Sequence, residues 1–192
     1  MAFGGGSSHG RHALSWDSSL CAESSDDGVV RCWDVEKGVE RCKVSFAPSV
    51  VTALAIAPYD GRVFCGITVD SGLKAQSRVV CFDPKYPDRI SEVRSPFEWI
   101  TCMAFSPDGG HLAVGCKMLS FFQRDSAGHT YCGSLRTFDF KTLSPKRPIP
   151  TTVPQLSAVH FNATAEGSSR EAVGSPEPEA ASSFNPSTVL VP

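Results

Sequence analysis

Three segments of this chain end an alternating run in an aromatic residue followed by aspartate: VVRCWD (Val29 to Asp34), SRVVCFD (Ser77 to Asp83) and SLRTFD (Ser134 to Asp139). Each is followed by an apolar strand that opens on a polar turn: TALAIAPYDG from Thr52, TCMAFSPDGG from Thr101 and SAVHFNATAEG from Ser157. From Trp33 to Ile56, from Phe82 to Phe105 and from Phe138 to Phe161 the interval is 23 residues each time. Alternation of apolar and polar residues specifies half-buried strands. A constant spacing between two strand types specifies copies of one supersecondary unit, stacked so that each buries its neighbour's apolar face. A single β-sandwich also alternates, but it gives no reason for a fixed interval.

The reverse interval is not constant. It is 17 residues from Trp16 to Trp33, 26 from Ile56 to Phe82 and 33 from Phe105 to Phe138, with HALSWDS (His12 to Ser18) read as the opening strand of the first unit. Length variation therefore falls inside one class of loop, which places Thr68 to Ser77 and Lys117 to Cys132 as lengthened hairpin loops on one rim. The uninserted first unit measures 40 residues, the size of a four-stranded propeller blade. Strand a ends in the turn, strand b is LCAES, VFCGIT or LAVGC, strand c ends in aromatic-Asp, and strand d is ERCKVSF, RISEV or the proline-broken KRPIP. Between strands b and c of the first unit, SSDDG (Ser24 to Gly28) specifies a tight turn in which Asp and Ser bond their own backbone and Gly28 takes positive φ.

With SSDDGVVRCWDVEKG and AFSPDGGHLAVG in view, the chain resembles the WD40-repeat β-propeller proteins over residues 12 to 165. The resemblance implies an all-β fold of about three four-stranded blades, at about 12–47, 48–95 and 96–152, with a fourth starting at 153. Residues 1–11 are expected to be a flexible lead-in and 166–192 a largely disordered Pro/Ser/Glu-rich tail. The positions carrying the repeat are Asp27, Trp33, Asp34, Phe82, Asp83, Phe138 and Asp139, with Phe replacing Trp in the second and third units. The Gly-His pair the family often carries before strand a is absent, so its buried polar network is expected only in part, from Asp27, Trp33 and a strand b serine. Trp33 is expected to be the first unit's main packing residue, with Trp33→Ala costing about 3 to 5 kcal/mol. Propellers close into rings of typically four to eight blades. An incomplete ring is a piece of a longer propeller, or it takes blades from a partner or a second copy. Its open faces are expected at Leu14 and Trp16 on one side and Val159 and Phe161 on the other.

Composition narrows the function. A net charge of −2 and a pI of about 6.2 supply no basic field for nucleic acid. No run of 18 apolar residues occurs, and Gly4 to Ser7 interrupts the start where a secretory leader would be apolar, so the expected setting is the cytoplasm or nucleus. The eight cysteines, from Cys21 to Cys132, contain no close pair of the C-x2-C kind and read as reduced, mostly buried side chains. No nucleophile–base pair, carboxylate pair or phosphate loop stands out, and no metal, cofactor or catalytic residue is expected. The expected function is a non-catalytic protein–protein interaction scaffold; the alternative is the propeller portion of a larger enzyme or complex. The candidate partner-binding cluster is Phe121, Phe122 and Arg124 in the longest insertion, although the two phenylalanines equally extend strand b.

Overall fold

The computed structural model describes residues 10–70, 75–97, 99–117, 123–124, 130–131, 133–139, 149–151, 158–161 and 188–191. Among these, every regular element is a strand. The first blade is β1 (Arg11–Leu14), β2 (Leu20–Ser24), β3 (Val29–Asp34) and β4 (Val39–Ser45), paired antiparallel in that order. The second is β5 (Val50–Ile56), β6 (Val63–Asp70), β7 (Ala75–Asp83) and β8 (Tyr86–Phe97). In the third, β9 (Trp99–Phe105) and β10 (His111–Lys117) precede a two-stranded ribbon, β11 (Gln123–Arg124) with β12 (Thr130–Tyr131). The blade resumes with β13 (Gly133–Asp139) and β14 (Ile149–Thr151). β15 (Ala158–Phe161) begins a further unit and pairs parallel with β16 (Thr188–Val191). Three four-stranded blades and part of a fourth form an incomplete, WD40-like propeller with no closed ring among the described residues.

The register shows why the repeat works. Ile56 pairs with Val63 and Val63 with Phe82; Phe105 pairs with Leu112 and Leu112 with Phe138. In both blades strand a carries a bulge at the same place, at Thr52 and Thr101. Each threonine hydroxyl donates to the carbonyl of a strand b glycine at 3.2 Å, Thr52 to Gly66 and Thr101 to Gly115. The extra residue of a bulge is lost from the ladder, and the hydroxyl takes up a buried carbonyl beside it. Gly66 also lets the next blade approach, since a Cβ there would lie 2.7 Å from Ile100 Cγ2.

Burial has a direction. The core between the first two blades joins Ala22, Val30, Cys32 and Val44 of one to Leu54, Ile56, Val63, Cys65 and Phe82 of the other. The next core joins Ala53, Ala55, Phe64 and Cys81 to Ile100, Met103, Leu112 and Phe138, and a third joins Cys102, Ala113 and Leu135 to Val159 and Phe161. Phe82 and Phe138, the strand c aromatics of the second and third blades, thus pack backward onto the preceding blade. Phe82 and Phe138 are 1% and 0% exposed.

Two expectations are corrected by this geometry. Trp33, the equivalent of Phe82, faces the side where no preceding blade stands among the described residues; it is only half-buried and joins none of the three cores. Its row partners Leu14 and Cys21 share that open face, Leu14 at 55% exposure. The strand a register of the first blade also differs from the sequence reading. Leu14, not Trp16, pairs with Cys21 and so matches Ile56 and Phe105, whereas Trp16 sits in the turn where Pro107 sits in the third blade. The first repeat is then 42 residues from Leu14 to Ile56, still blade-sized.

Two further segments differ as well. The β6–β7 ladder continues to Asp70 and Ala75, so most of the segment expected as a loop is strand. Thr188–Val191, within the segment expected as a largely disordered tail, is a strand lying directly beside strand a of its unit. The tail from 166 to 187 and residues 1–9 lie outside the described residues.

Candidate functional site

The turns between strands a and b are built on one local device. In the first and third blades a serine hydroxyl closes onto the aspartate two residues later, Ser15 to Asp17 and Ser106 to Asp108, and the carboxylate accepts the N–H of Ser19 or Gly110 at 3.0 Å. The b–c turn of the first blade repeats it with Ser25, Asp27 and the N–H of Val29. Asp27 therefore serves its own turn. The Trp33 indole N–H has no partner among the described residues, so the two do not share the network that the resemblance implied. Gly28 adopts the left-handed turn conformation, at φ 76°. In the second blade Asp60 plays the same part, accepting from Arg62 N and, at 2.7 Å, Arg62 Nε.

These bonds favour the carboxylate form. The Ser15 hydroxyl holds Asp17 down to about 2, and Ser25 and Ser106 lower Asp27 and Asp108 in the same way. Asp34, at the end of β3, is lowered first by Arg41, whose Nη2 lies 2.6 Å away, and then by the N–H of Lys37. A carboxyl whose folded value lies below its unfolded one adds stability above the ordinary value and loses it as pH falls through the folded value. Thermal midpoints should therefore hold steady down to about pH 4 and fall from 3.8 toward about 2. A Ser15→Ala, Ser25→Ala, Ser106→Ala triple variant should show a shallower acid limb than wild type; an identical limb would separate these turns from the pH response.

The turns carry the largest exposed aromatics. Trp16 is 74% exposed and Tyr59, on the next blade's turn, 79% exposed. Tyr59 is nonetheless placed: its hydroxyl donates to Pro107 O at 3.5 Å, and its ring lies over Gly109, where a Cβ would come within 2.7 Å. Behind these turns the innermost strands of all four units surround a cavity of about 350 Å³, lined by Leu14, Trp16, Ile56, Pro58, Phe105 and Phe161 among others. Exposed turn aromatics near a recess whose lining mixes polar and apolar residues, with aspartates alongside, form a surface suited to a peptide segment.

Of the candidate residues named from the sequence, Phe82 and Phe138 are core residues. Asp34 is an ion-paired anchor, and Asp83 accepts the N–H of Lys85 at 2.8 Å. Asp139 ends β13 opposite His111. Arg124 pairs with Thr130 in the β11–β12 ribbon, while Phe121 and Phe122 lie outside the described residues. The rim of Trp16 and Tyr59 is not evident from sequence periodicity. Its signal is the seven-residue spacing from the last apolar residue of strand a to its partner on strand b, which puts both aromatics on turns. Among the described residues no group of three His, Cys, Asp or Glu is placed to hold a metal ion, and no helix is long and apolar enough to cross a membrane.

No protein-family model matches the chain. It is similar to the ciliary WD repeat-containing protein ctxp80 of Euplotoides octocarinatus, 32% identical over 83 residues. The match takes in 43% of this chain and spans 10% of that relative's length. Sequence likeness and the blade architecture together support a WD-repeat-like fold.

Proposed function

We propose that the chain is a non-catalytic protein–protein interaction module built on WD40-like blades, using the aromatic rim of the a–b turns as its contact surface. The carrying observation is the pair Trp16 and Tyr59, two large aromatics exposed on the a–b turns of adjacent blades, with Trp16 at the edge of the recess. Exposed aromatic anchors of this kind supply most of the energy in an interface. The test is affinity capture with a Trp16→Ala, Tyr59→Ala double variant. The partner set should be lost while the thermal midpoint moves by less than about 3 °C, as surface substitutions do. An unchanged partner set sinks the rim assignment.

A second reading is favoured by one observation: the similar protein is about ten times longer than the matched stretch. On that reading the blades are part of a larger assembly or enzyme whose chemistry lies elsewhere, and activity would co-purify with a longer form. In both readings the partners are proteins rather than nucleic acid or membrane, and the seven described cysteines, all free thiols, fit the reducing cytoplasm or nucleus. The open face of the first blade bears on self-association. Leu14 and Trp33 present there the row that Ile56 and Phe82 bury in the second blade. Blade completion by a second copy or a partner would cover it, so light scattering on the purified chain should give a mass above 20.5 kDa. A monodisperse monomer with one cooperative melt would count against completion.

A further inference from the structure

Cys32 on β3 and Cys42 on β4 are directly opposed in the antiparallel ladder, beside the bulge that follows Cys32. Opposed residues in such a ladder have Cα atoms about 4.5 to 5.5 Å apart, inside the roughly 4.4 to 6.8 Å span of disulfides. Both side chains lie on the face that packs against the second blade, Cys32 fully buried and Cys42 half-buried at the margin. They differ from the other thiols in chemistry. Burial pushes Cys21, Cys65, Cys81 and Cys102 up, as it does any thiol kept from water. Cys42 runs the other way because the Cys32 thiol hydrogen-bonds to it, and the same contact pushes Cys32 up. One partner is thus reachable and inclined to the thiolate; the other is sheltered and protonated beside it. Reactive and resolving cysteines divide the work in this way.

We propose that Cys32 and Cys42 form a redox-responsive dithiol that is oxidised to a cross-strand disulfide by small disulfides of the glutathione type. The Cys42 thiolate attacks one sulfur of the small disulfide, whose S–S bond breaks; one small thiolate leaves and takes up a proton, and a mixed disulfide remains on Cys42. Cys32 then gives its proton to solvent and attacks the Cys42 sulfur. That breaks the mixed disulfide and releases the second small thiol once it is protonated. Two protein thiols are oxidised and one small disulfide is reduced to two thiols. The product ties β4, the outer strand of its blade, to β3.

The experiment uses the folded full chain and oxidised glutathione at neutral pH, with an acid quench, alkylation of remaining thiols, digestion and mass spectrometry. Six of the eight cysteines should be alkylated, with a linked peptide joining Cys32 to Cys42 that dithiothreitol returns to free thiols. Cys32→Ser should leave a glutathione adduct on Cys42, and Cys42→Ser should leave Cys32 unmodified. Cys21, half-buried like Cys42, is the internal comparison: a thiol reagent should label Cys42 about tenfold faster in the wild type. Because the wild-type readouts need no variant to fold, they decide the matter. Absence of the Cys32–Cys42 link, or equal labelling of Cys21 and Cys42, overturns the proposal.

Discussion

Phe82→Ala should cost about 3 to 5 kcal/mol, whereas Trp33→Ala, at the same place in the preceding blade, should cost about 1 to 2 kcal/mol. Phe82 is 1% exposed, lies in the core between the first two blades and meets Phe46 of the first with ring centroids 6.4 Å apart. Truncating it leaves a cavity that two rigid sheets cannot close, so both the transfer of the ring and the void count against the fold. Trp33 has the larger ring but packs on one side only, and part of its surface is already in water. In thermal melts the Phe82 variant should fall by roughly 10 °C and the Trp33 variant by a few degrees. Equal losses would mean that Trp33 is covered as Phe82 is, and the open face would have to be abandoned.

Gly28→Ala should be nearly as damaging, at about 3 kcal/mol. The residue has φ 76°, which an L side chain adopts at a cost, and a Cβ there would run into the main-chain oxygen of Ser49. The same turn feeds the Phe46 N–H to the Gly28 carbonyl at 2.8 Å, so any shift that relieves the clash pulls on the end of the blade. Gly61 separates the two causes. It has φ 68° but open space around its missing Cβ, so Gly61→Ala should cost only the backbone term, about 1 kcal/mol. Denaturant midpoints of the two variants measure the difference; matching values would remove the Ser49 contact from the explanation.

The blades were legible because their determinants are local. Alternation in VVRCWD fixes a strand, SSDDG fixes its turn, and the 23-residue interval fixes the stacking, all within a few dozen residues. What the sequence hid depends on what stands across a gap. Trp33 and Phe82 occupy equal places in equal strands, and only the presence of a preceding blade separates core from half-exposed face. Trp16 was misplaced because an apolar aromatic two residues past Leu14 continues the alternation, while the turn that contains it is set by Asp17 and the hydroxyls of Ser15 and Ser19. The Thr68 to Ser77 segment reads as a loop because the interval lengthens there, yet the extra residues extend the β6–β7 ladder instead. The bulges at Thr52 and Thr101 left a trace in the sequence, a threonine opening both TALAI and TCMAF, that periodicity alone does not interpret.

The backward packing of Phe82 and Phe138 gives the blade stack a direction, because the two faces of a blade are different surfaces. A leading face fits the trailing face of the blade before it and not a copy of itself. Any joining through these surfaces would therefore be head-to-tail. It has no twofold axis, and growth by this route ends only when a ring shuts or a cap intervenes.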